Sequence, residues 1–245
     1  MTGTSERAAS ASGIVLLTLA SGQFLMTLDS SVMNVSIATV AKDVGTTVTG
    51  IQTAITFYTL VMASLMITGG NLGQILGRKR AFGIGCVIYG CGSLITAISQ
   101  SLAVLIVGWS VLEGIGAALI LPAIVALVAS NFEAKERPRA YGLVASAGAI
   151  AVAAGPLIGG LFTTYASWRW VFLGEVLIVL AILAVGRRIA DSPPLLGRGW
   201  ILSGRRCLRL AWGWSCSESS RRGRGGSWSP SPTPRSGSDS HRRSG

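Results

Sequence analysis

Charged residues and histidine are scarce in this sequence. Only 13% of the residues are charged, against about 25% in a typical soluble domain. The single histidine is His241, so the rest of the chain cannot build a histidine-based metal or catalytic site. The four cysteines lack metal-ligand spacing, and no Ser/His/Asp set, nucleotide loop or dinucleotide fingerprint is present. These absences predict a protein that is not an enzyme and that holds no metal or other cofactor.

Long apolar segments are what the chain has instead. Half of its residues are hydrophobic, and six segments are close to or above the roughly 20 residues that a helix needs to span a bilayer. Because lipid offers no partner to backbone N–H and C=O groups, these segments should be helices. We predict an all-α membrane protein with six transmembrane helices. The predicted spans are residues 14–40, 51–73, 81–99, 103–130, 140–164 and 170–188.

Lysine and arginine predict the orientation of these spans. Basic residues concentrate on one side of a six-span alternation, and positive loops usually lie in the cytoplasm. That side holds Arg7, Arg78, Lys79, Arg80, Lys135, Arg137, Arg139, Arg187 and Arg188, and the other holds Lys42 and Arg169. We therefore expect a multi-pass protein of the cytoplasmic (inner) membrane. Residues 1–13 would form a cytoplasmic N-terminal tail, residues 14–190 the six-helix bundle, and residues 191–245 a cytoplasmic tail.

The composition changes after residue 196. The last 49 residues contain ten arginines, twelve serines and nine glycines but no lysine, and they carry +8 of the net charge of +11. Such a segment buries too little apolar surface to fold, so we predict a disordered basic tail. Arginine without lysine is typical of a GC-rich coding sequence translated out of frame. The alternatives are a tail that touches anionic lipid or one that binds nucleic acid, which no regular aromatic pattern supports.

Three acidic residues lie within the predicted spans. Acids at membrane depth usually face a cavity or a partner and mark function. At 1.5 Å per residue, Asp29 lies about 12 Å and Glu113 about 15 Å from the outer ends of their helices, so both lie toward the midplane. Glu175 is only about 8 Å from the outer end of its helix, so we expect it to reach the interface or to pair with Arg169 or Lys42.

Four stretches carry a family resemblance, and a fifth, the aromatic run, strengthens it. They are residues 28–35, 69–80, 108–116 with Pro122, the spaced glycines and proline of 142–160, and the aromatic run 168–172. In order and spacing they resemble the fourteen-helix drug/proton antiporter branch of the major facilitator superfamily. The resemblance covers about residues 14–190, the first six-helix half of that fold. The fifth-helix pattern is the most specific, because it is the signature of the antiporting members.

Two of these stretches imply gating and sealing. Gly69, Gly73 and Gly77 predict a smooth stripe that allows close helix approach. The resemblance implies a gating loop formed by Gly73, Gly77, Arg78, Lys79 and Arg80, and the alternative is a plain positive cytoplasmic turn. Gln74 and Ile75 replace the family's usual acid and arginine, which weakens a charge latch. The resemblance also implies a sealing kink at Gly155, Pro156, Gly159 and Gly160, against the alternative of a bent, tightly packed helix.

The resemblance also selects the coupling residues. In this family helices one and four line the central cavity, which favours Asp29 and Glu113 over Glu175 as proton or cation sites. Ser110 stands where the family usually has an arginine, so the fourth helix has no positive charge to keep Glu113 ionised. The alternative is a protonated Glu113 hydrogen-bonded to a neighbouring helix. Weaker candidates for the substrate cavity are Phe24, Asn34, Phe57 and Trp109.

These observations predict a truncated transporter. The expected activity is proton-coupled efflux of drugs or other small amphipathic or cationic compounds, with alternating access between two bundles. The expected partners are membrane lipid, protons, the transported compound, and a second copy or the missing C-terminal half, but not nucleic acid. The alternatives are a non-transporting truncated gene product and a membrane anchor whose basic tail touches anionic lipid.

Overall fold

Six helices form the bundle. The computed structural model describes the backbone of residues 2–186 and the side chains of residues 12–186. Within this part, six helices are long and apolar enough to cross a membrane, which confirms the predicted all-helical membrane fold. They are α1 Thr2–Asp43, α2 Val48–Leu76, α3 Arg78–Ala97, α4 Leu102–Asn131, α5 Arg137–Tyr165 and α6 Arg169–Gly186. The predicted basic tail lies outside the described residues, together with Arg187 and Arg188.

Short turns with local signals separate the helices. The Thr47 hydroxyl accepts a hydrogen bond from the Gly50 N–H and so caps the start of α2. Gly77 alone separates α2 from α3, and its φ of 98° is a conformation that side-chain-bearing residues rarely adopt. We predicted Gly77 as the end of a glycine stripe on α2. The structure corrects this, because Gly77 forms the turn, while Gly69 packs against the Ala118 backbone of α4.

Two sets of helix contacts build the bundle. The most extensive contacts join α1 to α5, and α3 lies against both α4 and α6. Lipid is as apolar as the helix surfaces, so close van der Waals packing and interhelical hydrogen bonds stabilise these contacts. The largest fully buried side chains include Trp109, Trp168, Tyr89 and Phe172. The main buried cluster contains residues from all six helices, and α4 and α3 are the most buried of the spans.

Glycines let α3 and α4 cross closely. A Cβ atom added to Gly92 would lie 2.7 Å from the Gly108 carbonyl oxygen and 2.6 Å from Glu113 Cγ. A Cβ added to Gly116 would lie 2.8 Å from the Tyr89 amide nitrogen. These distances are too short for real Cβ contacts, so the crossing requires glycine on both helices. The crossing places the acidic residue of α4 directly against α3.

The helix α4 is not α-helical throughout. Residues Ile106–Glu113 form a π-helical segment between the α-helical Leu102–Leu105 and Gly114–Asn131. π-Helical segments widen the helix locally and occur frequently at functional sites. This segment contains Trp109, Ser110 and Glu113, all fully buried. The unusual local geometry therefore coincides with the polar residues of α4.

A polar network connects the predicted outer ends of three helices. The Trp168 indole donates to the Asp43 carboxylate at 3.0 Å, and Arg169 forms an ion pair with the same carboxylate at 3.5 Å. Arg169 also donates to the Ser99 carbonyl oxygen at 2.8 Å, and its guanidinium lies over the Trp168 ring. The ends of α1, α3 and the start of α6 are thereby joined.

Candidate functional site

Three carboxylates from different helices meet inside the bundle. They belong to Asp29 on α1, Glu113 on α4 and Glu175 on α6, and one oxygen of each lies within 4.8 Å of the others. The side chains are buried, with exposed fractions of 0%, 0% and 1%. We call these three residues the acid cluster. Asp29 and Glu113, which were predicted to lie at similar depth, are thus brought together.

Glu175 corrects our sequence interpretation. We expected it to reach the interface or to pair with Arg169 or Lys42. Instead it is buried in the acid cluster and accepts a hydrogen bond from the Ser93 hydroxyl at 3.1 Å. Arg169 pairs with Asp43 instead. Depth counted from the helix end failed because it ignores the direction of the side chain, which on α6 points toward α3 and the interior.

Asp29 is held by an aromatic pair. The Trp109 indole N–H donates to both of its carboxylate oxygens, at 2.8 and 2.9 Å. The Trp109 ring in turn stacks on Tyr58, with ring centroids 5.1 Å apart and planes 9° from parallel. Tyr58 is itself 4% exposed, so α1, α2 and α4 are joined through this one contact chain. The carboxylate therefore has a fixed position.

Glu113 and Glu175 each have one partnered and one unpartnered oxygen. The Thr96 hydroxyl lies 3.3 Å from Glu113 Oε1, and Ser93 lies 3.1 Å from Glu175 Oε2. Glu113 Oε2, Glu175 Oε1 and the Tyr89 hydroxyl are buried without a hydrogen-bond partner. Buried polar groups normally find partners, and exceptions need a physical reason. The unpartnered atoms belong to, or lie beside, the acid cluster.

Ser110 has a packing contact of its own. Its hydroxyl donates to the Ala54 carbonyl oxygen at 2.8 Å and so connects α4 to α2. Among the described residues, the groups that act on the three acids are other acids, hydroxyls and the Trp109 indole, and no basic side chain is among them. The acid cluster therefore has no built-in positive counter-charge in the part of the chain that the structure describes.

Ionised carboxylates in the acid cluster would need a positive partner, because no basic side chain among the described residues supplies one. Two unit charges about 4 Å apart repel by about 4 kcal/mol at an effective dielectric constant of 20. Three ionised carboxylates at this spacing would add such repulsions to the cost of leaving water. Protons or a bound cation remove both costs. The arrangement is therefore suited to binding and releasing positive charge.

The four weaker cavity candidates lie in different surroundings. Trp109 is fully buried against Asp29 and Tyr58, and Phe24 is half-buried beside a small α1–α5 contact cluster. Asn34 and Phe57 are exposed. The Asn34 amide donates to the carbonyl oxygen of Ser30 on its own helix at 2.7 Å. Trp109 thus contacts the acid cluster directly.

Two residues of the predicted gating loop, Gly73 and Arg78, line a cleft. A cavity of about 190 Å³ lies between α2 and α4, lined by residues that include Gly73, Gln74, Arg78 and Pro122. The Arg78 guanidinium donates to the Ala126 carbonyl oxygen on α4 at 3.1 Å. The structure places Arg78, Lys79 and Arg80 in the first turn of α3. The loop is thus tied to α4 through one arginine.

The glycines of the predicted kink have different neighbours. A Cβ added to Gly155 would overlap Ser31 on α1, and one added to Gly159 would lie 3.4 Å from the Val32 Cα atom. A Cβ added to Gly160 would meet nothing within 4 Å. Pro156 is exposed within the continuous helix α5. Gly155 and Gly159 therefore allow the approach of α1, as their spacing indicated.

Sequence reasoning missed the contribution of α3. Tyr89, Ser93 and Thr96 supply the hydroxyls around the acid cluster, and we proposed none of them. One signal was available, because the three residues follow one another at intervals of four and three and so share a helix face. Gly85 and Gly92 on the same helix also indicated a close crossing partner. Metal-ligand spacing gave no signal, because each acid comes from a different helix.

Comparison with known protein families identifies proteins that are similar to this chain. A sequence model of the Major Facilitator Superfamily matches residues 19–203. The Methylenomycin A resistance protein of Bacillus subtilis is 34% identical over 194 residues, which cover 78% of this chain and 41% of that protein. The Puromycin resistance protein pur8 of Streptomyces alboniger is 34% identical over 185 residues, which cover 75% of this chain and 36% of that protein.

Other similar proteins show how far the likeness extends. The riboflavin transporter RibZ of Clostridioides difficile is 29% identical over 182 residues, which cover 74% of this chain and 40% of that protein. A crystal structure of the peptide transporter POT in complex with sulfate aligns with a TM-score of 0.64 and 18% identity, covering 81% of this chain and 43% of that one. This chain spans about 40% of the length of the curated relatives it matches.

Proposed function

Because the chain belongs to the major facilitator superfamily, we propose that it acts as one six-helix bundle of a proton-coupled exporter of drugs or other small amphipathic or cationic compounds. Transporters of this superfamily are built from two six-helix halves that rock against each other. The observation that carries the proposal is the meeting of Asp29 and Glu113 in the bundle interior. The resistance proteins among its relatives support the substrate class.

Asp29 and Glu113 would couple protons to export. When the site faces the side with more protons, a carboxylate takes up a proton and no longer attracts a cationic compound. When the site faces the cytoplasm, loss of that proton restores the negative charge and the affinity for the compound. Exchange follows because the two positive species compete for the same carboxylates.

The two motif regions would serve the rocking motion. Gly73, Gly77, Arg78, Lys79 and Arg80 would form the gating loop on the cytoplasmic side, where Arg78 already contacts α4. The close contact of α5 with α1 at Gly155 and Gly159, next to Pro156 and Gly160, would seal the cavity against leak. The wall of the substrate cavity would include four side chains, namely the exposed Asn34 and Phe57, the half-buried Phe24 and the buried Trp109.

The bundle would have a defined membrane and a defined orientation in it. The protein would lie in the cytoplasmic membrane with both termini in the cytoplasm, as the lysine and arginine distribution indicates. A second bundle would come from a second copy of this chain or from a second six-helix half such as its longer relatives have room for. The alternative is a chain that inserts in the membrane and transports nothing.

The test is pH-driven efflux with a charge-removing variant. The 245-residue chain is reconstituted in liposomes, and export of a fluorescent cationic dye is followed after a pH jump. We expect Glu113→Gln to reduce the initial rate at least tenfold, because glutamine keeps the shape but cannot exchange a proton. The control is Glu136→Gln, an exposed acid in the α4–α5 connection. Equal rates for wild type and Glu113→Gln would refute the coupling role.

A further inference from the structure

We propose that Asp29, Glu113, Glu175 and the Tyr89 hydroxyl form an intramembrane binding site for a monovalent alkali cation, defined by Na⁺. The site shares Asp29 and Glu113 with the proposed coupling function, and it rests on that function for their role as ion carriers. It adds two groups, from α3 and α6, that the coupling proposal does not use. It also names a second ion that competes with protons.

The carboxylate spacing suits a cation at the centre. One oxygen of each acid lies within 4.8 Å of the others, so a central cation is at most about 2.8 Å from each of the three. Oxygen ligands hold Ca²⁺ at about 2.3–2.6 Å, and Na⁺ has nearly the same ionic radius. A Na⁺ ion therefore fits among these oxygens after shifts of a few tenths of an ångström, without movement of a helix.

Buried polar atoms around the acid cluster also favour a cation. Glu113 Oε2, Glu175 Oε1 and the Tyr89 hydroxyl are buried and make no hydrogen bond of full geometric quality among the described residues, and Tyr89 and Glu113 both lie beside the Asp29 carboxylate. Tyr89 is 0% exposed and lies within electrostatic range of all three acids. A phenol oxygen and carboxylate oxygens are hard donors of the kind that alkali and alkaline-earth cations prefer. A cation among them would supply the missing partner to all three atoms.

The number of ligands favours a monovalent cation. Ca²⁺ takes six to eight oxygen ligands, and Mg²⁺ requires near-ideal octahedral geometry with several waters. The site offers three carboxylates and one phenol, and both oxygens of Asp29 already accept from Trp109. With one of the three acids ionised and Na⁺ bound, protons on the other two would leave the site neutral, and Glu175→Gln removes one of the carboxylates that can carry this charge. No buried net charge then remains in the membrane.

Protons compete with Na⁺ for these oxygens. The titratable groups that face the site are Asp29 from α1, Tyr58 from α2, Tyr89 from α3, Glu113 from α4 and Glu175 from α6. Within the described residues, α5 places no titratable group beside it. When Na⁺ enters a fully protonated site, one carboxylic acid gives its proton to water and the freed oxygen lone pair binds Na⁺. Affinity for Na⁺ should therefore fall as the pH is lowered.

Direct binding tests the site. The full 245-residue chain in lipid nanodiscs is titrated with ²²Na⁺ in a scintillation proximity assay at pH 8, with choline chloride keeping the ionic strength constant. We expect saturable binding that unlabelled NaCl displaces and that weakens at pH 6. Glu175→Gln should reduce the affinity at least tenfold, and Tyr89→Phe, which removes only the hydroxyl, about threefold to tenfold. Glu136→Gln, an exposed acid outside the site, should bind as wild type does.

Three results would overturn the proposal. They are the absence of saturable Na⁺ binding, unchanged affinity in both Glu175→Gln and Tyr89→Phe, and displacement by Ca²⁺ at lower concentration than by NaCl. Thermal unfolding without Na⁺ shows whether each variant folds. If Glu175→Gln does not fold, the Na⁺ affinity of Tyr89→Phe still tests the site. Dye export driven by pH alone, in a chain that binds no Na⁺, would reject this site and leave the proposed function standing. Na⁺ binding without dye export would reject the proposed function and leave this Na⁺ site standing.

Discussion

At the scale of single residues, Trp109 holds one of the three carboxylates of the acid cluster, that of Asp29. Its indole N–H is shared between the two oxygens of Asp29, and its ring stacks on Tyr58. The sequence interpretation treated Trp109 as a weak candidate for a substrate wall. The structure adds a contact that its position in α4 could not reveal, because the partner lies 80 residues earlier in the chain.

Replacing Trp109 separates its hydrogen bond from its packing. In Trp109→Phe the ring can still stack on Tyr58, but Asp29 loses its N–H donor. We expect a loss of about 1 kcal/mol in unfolding free energy, the scale of interhelical hydrogen bonds in membranes, together with slower pH-driven dye export. Unfolding in mixed micelles and the liposome assay measure the two effects.

A matched control exists at the other indole–carboxylate contact. Trp168→Phe removes the N–H that donates to Asp43, in a network that is partly exposed. This variant should lose some stability but retain the dye export rate, because its contact lies away from the acid cluster. If Trp168→Phe slowed export as strongly as Trp109→Phe, the effect of Trp109 would be one of stability alone.

Asp29, Glu113 and Glu175 show how much of the site was predictable. Scarcity of charge in an apolar span drew attention to all three residues, which the structure places together. Asp29 and Glu113 were predicted to lie at similar depth, and the structure brings their carboxyl groups together, but Glu175 was wrongly assigned to the interface from its distance to the helix end. Residue counting gives height in the membrane and says nothing about helix rotation. Rotation depends on contacts with α3, which one sequence does not show.

At the scale of elements, the α1–α5 contact depends on glycine. Gly155 faces Ser31 so closely that an added Cβ would overlap it, while Gly160 has open space. The spacing of small residues in the fifth span predicted a close helix approach, and the structure identifies α1 as the partner. The type and number of helices were predictable, because a long apolar segment in lipid satisfies its backbone hydrogen bonds by forming a helix. The pairing of helices was not, since every span is apolar on several sides.

Two alanine variants in α5 test this contact. Gly155→Ala should destabilise the bundle by about 1–3 kcal/mol, the cost of overpacking a well-filled contact. Gly160→Ala should be neutral or stabilising by up to about 1 kcal/mol, because alanine is the better helix former. Unfolding free energies in mixed micelles give the comparison. Similar values for the two variants would contradict the close approach of α1 at Gly155.

At the scale of the whole molecule, orientation can be tested by labelling. The basic connection after α4 should face the cytoplasm and the α1–α2 turn the outside. Cysteine is placed at Thr49 or at Ala134 after the four native cysteines are changed to serine. In intact cells, an impermeant maleimide should label Thr49→Cys and should label Ala134→Cys only after permeabilisation. The opposite pattern would invert the proposed topology.

Transport by this chain should depend on its density in the membrane. A single six-helix bundle can hold protons or cations in its interior, but alternating access requires a second bundle to close against. If a second copy supplies it, the active species is a pair whose amount follows mass action. While most chains remain unpaired, doubling the number of chains per liposome should raise the export rate about fourfold, whereas Na⁺ binding should rise about twofold. A rate that only doubles would show that one chain transports alone or that pairs are already complete. Cross-linking in the same liposomes separates these two cases, and only unpaired chains with a linear rate would contradict the need for a partner bundle.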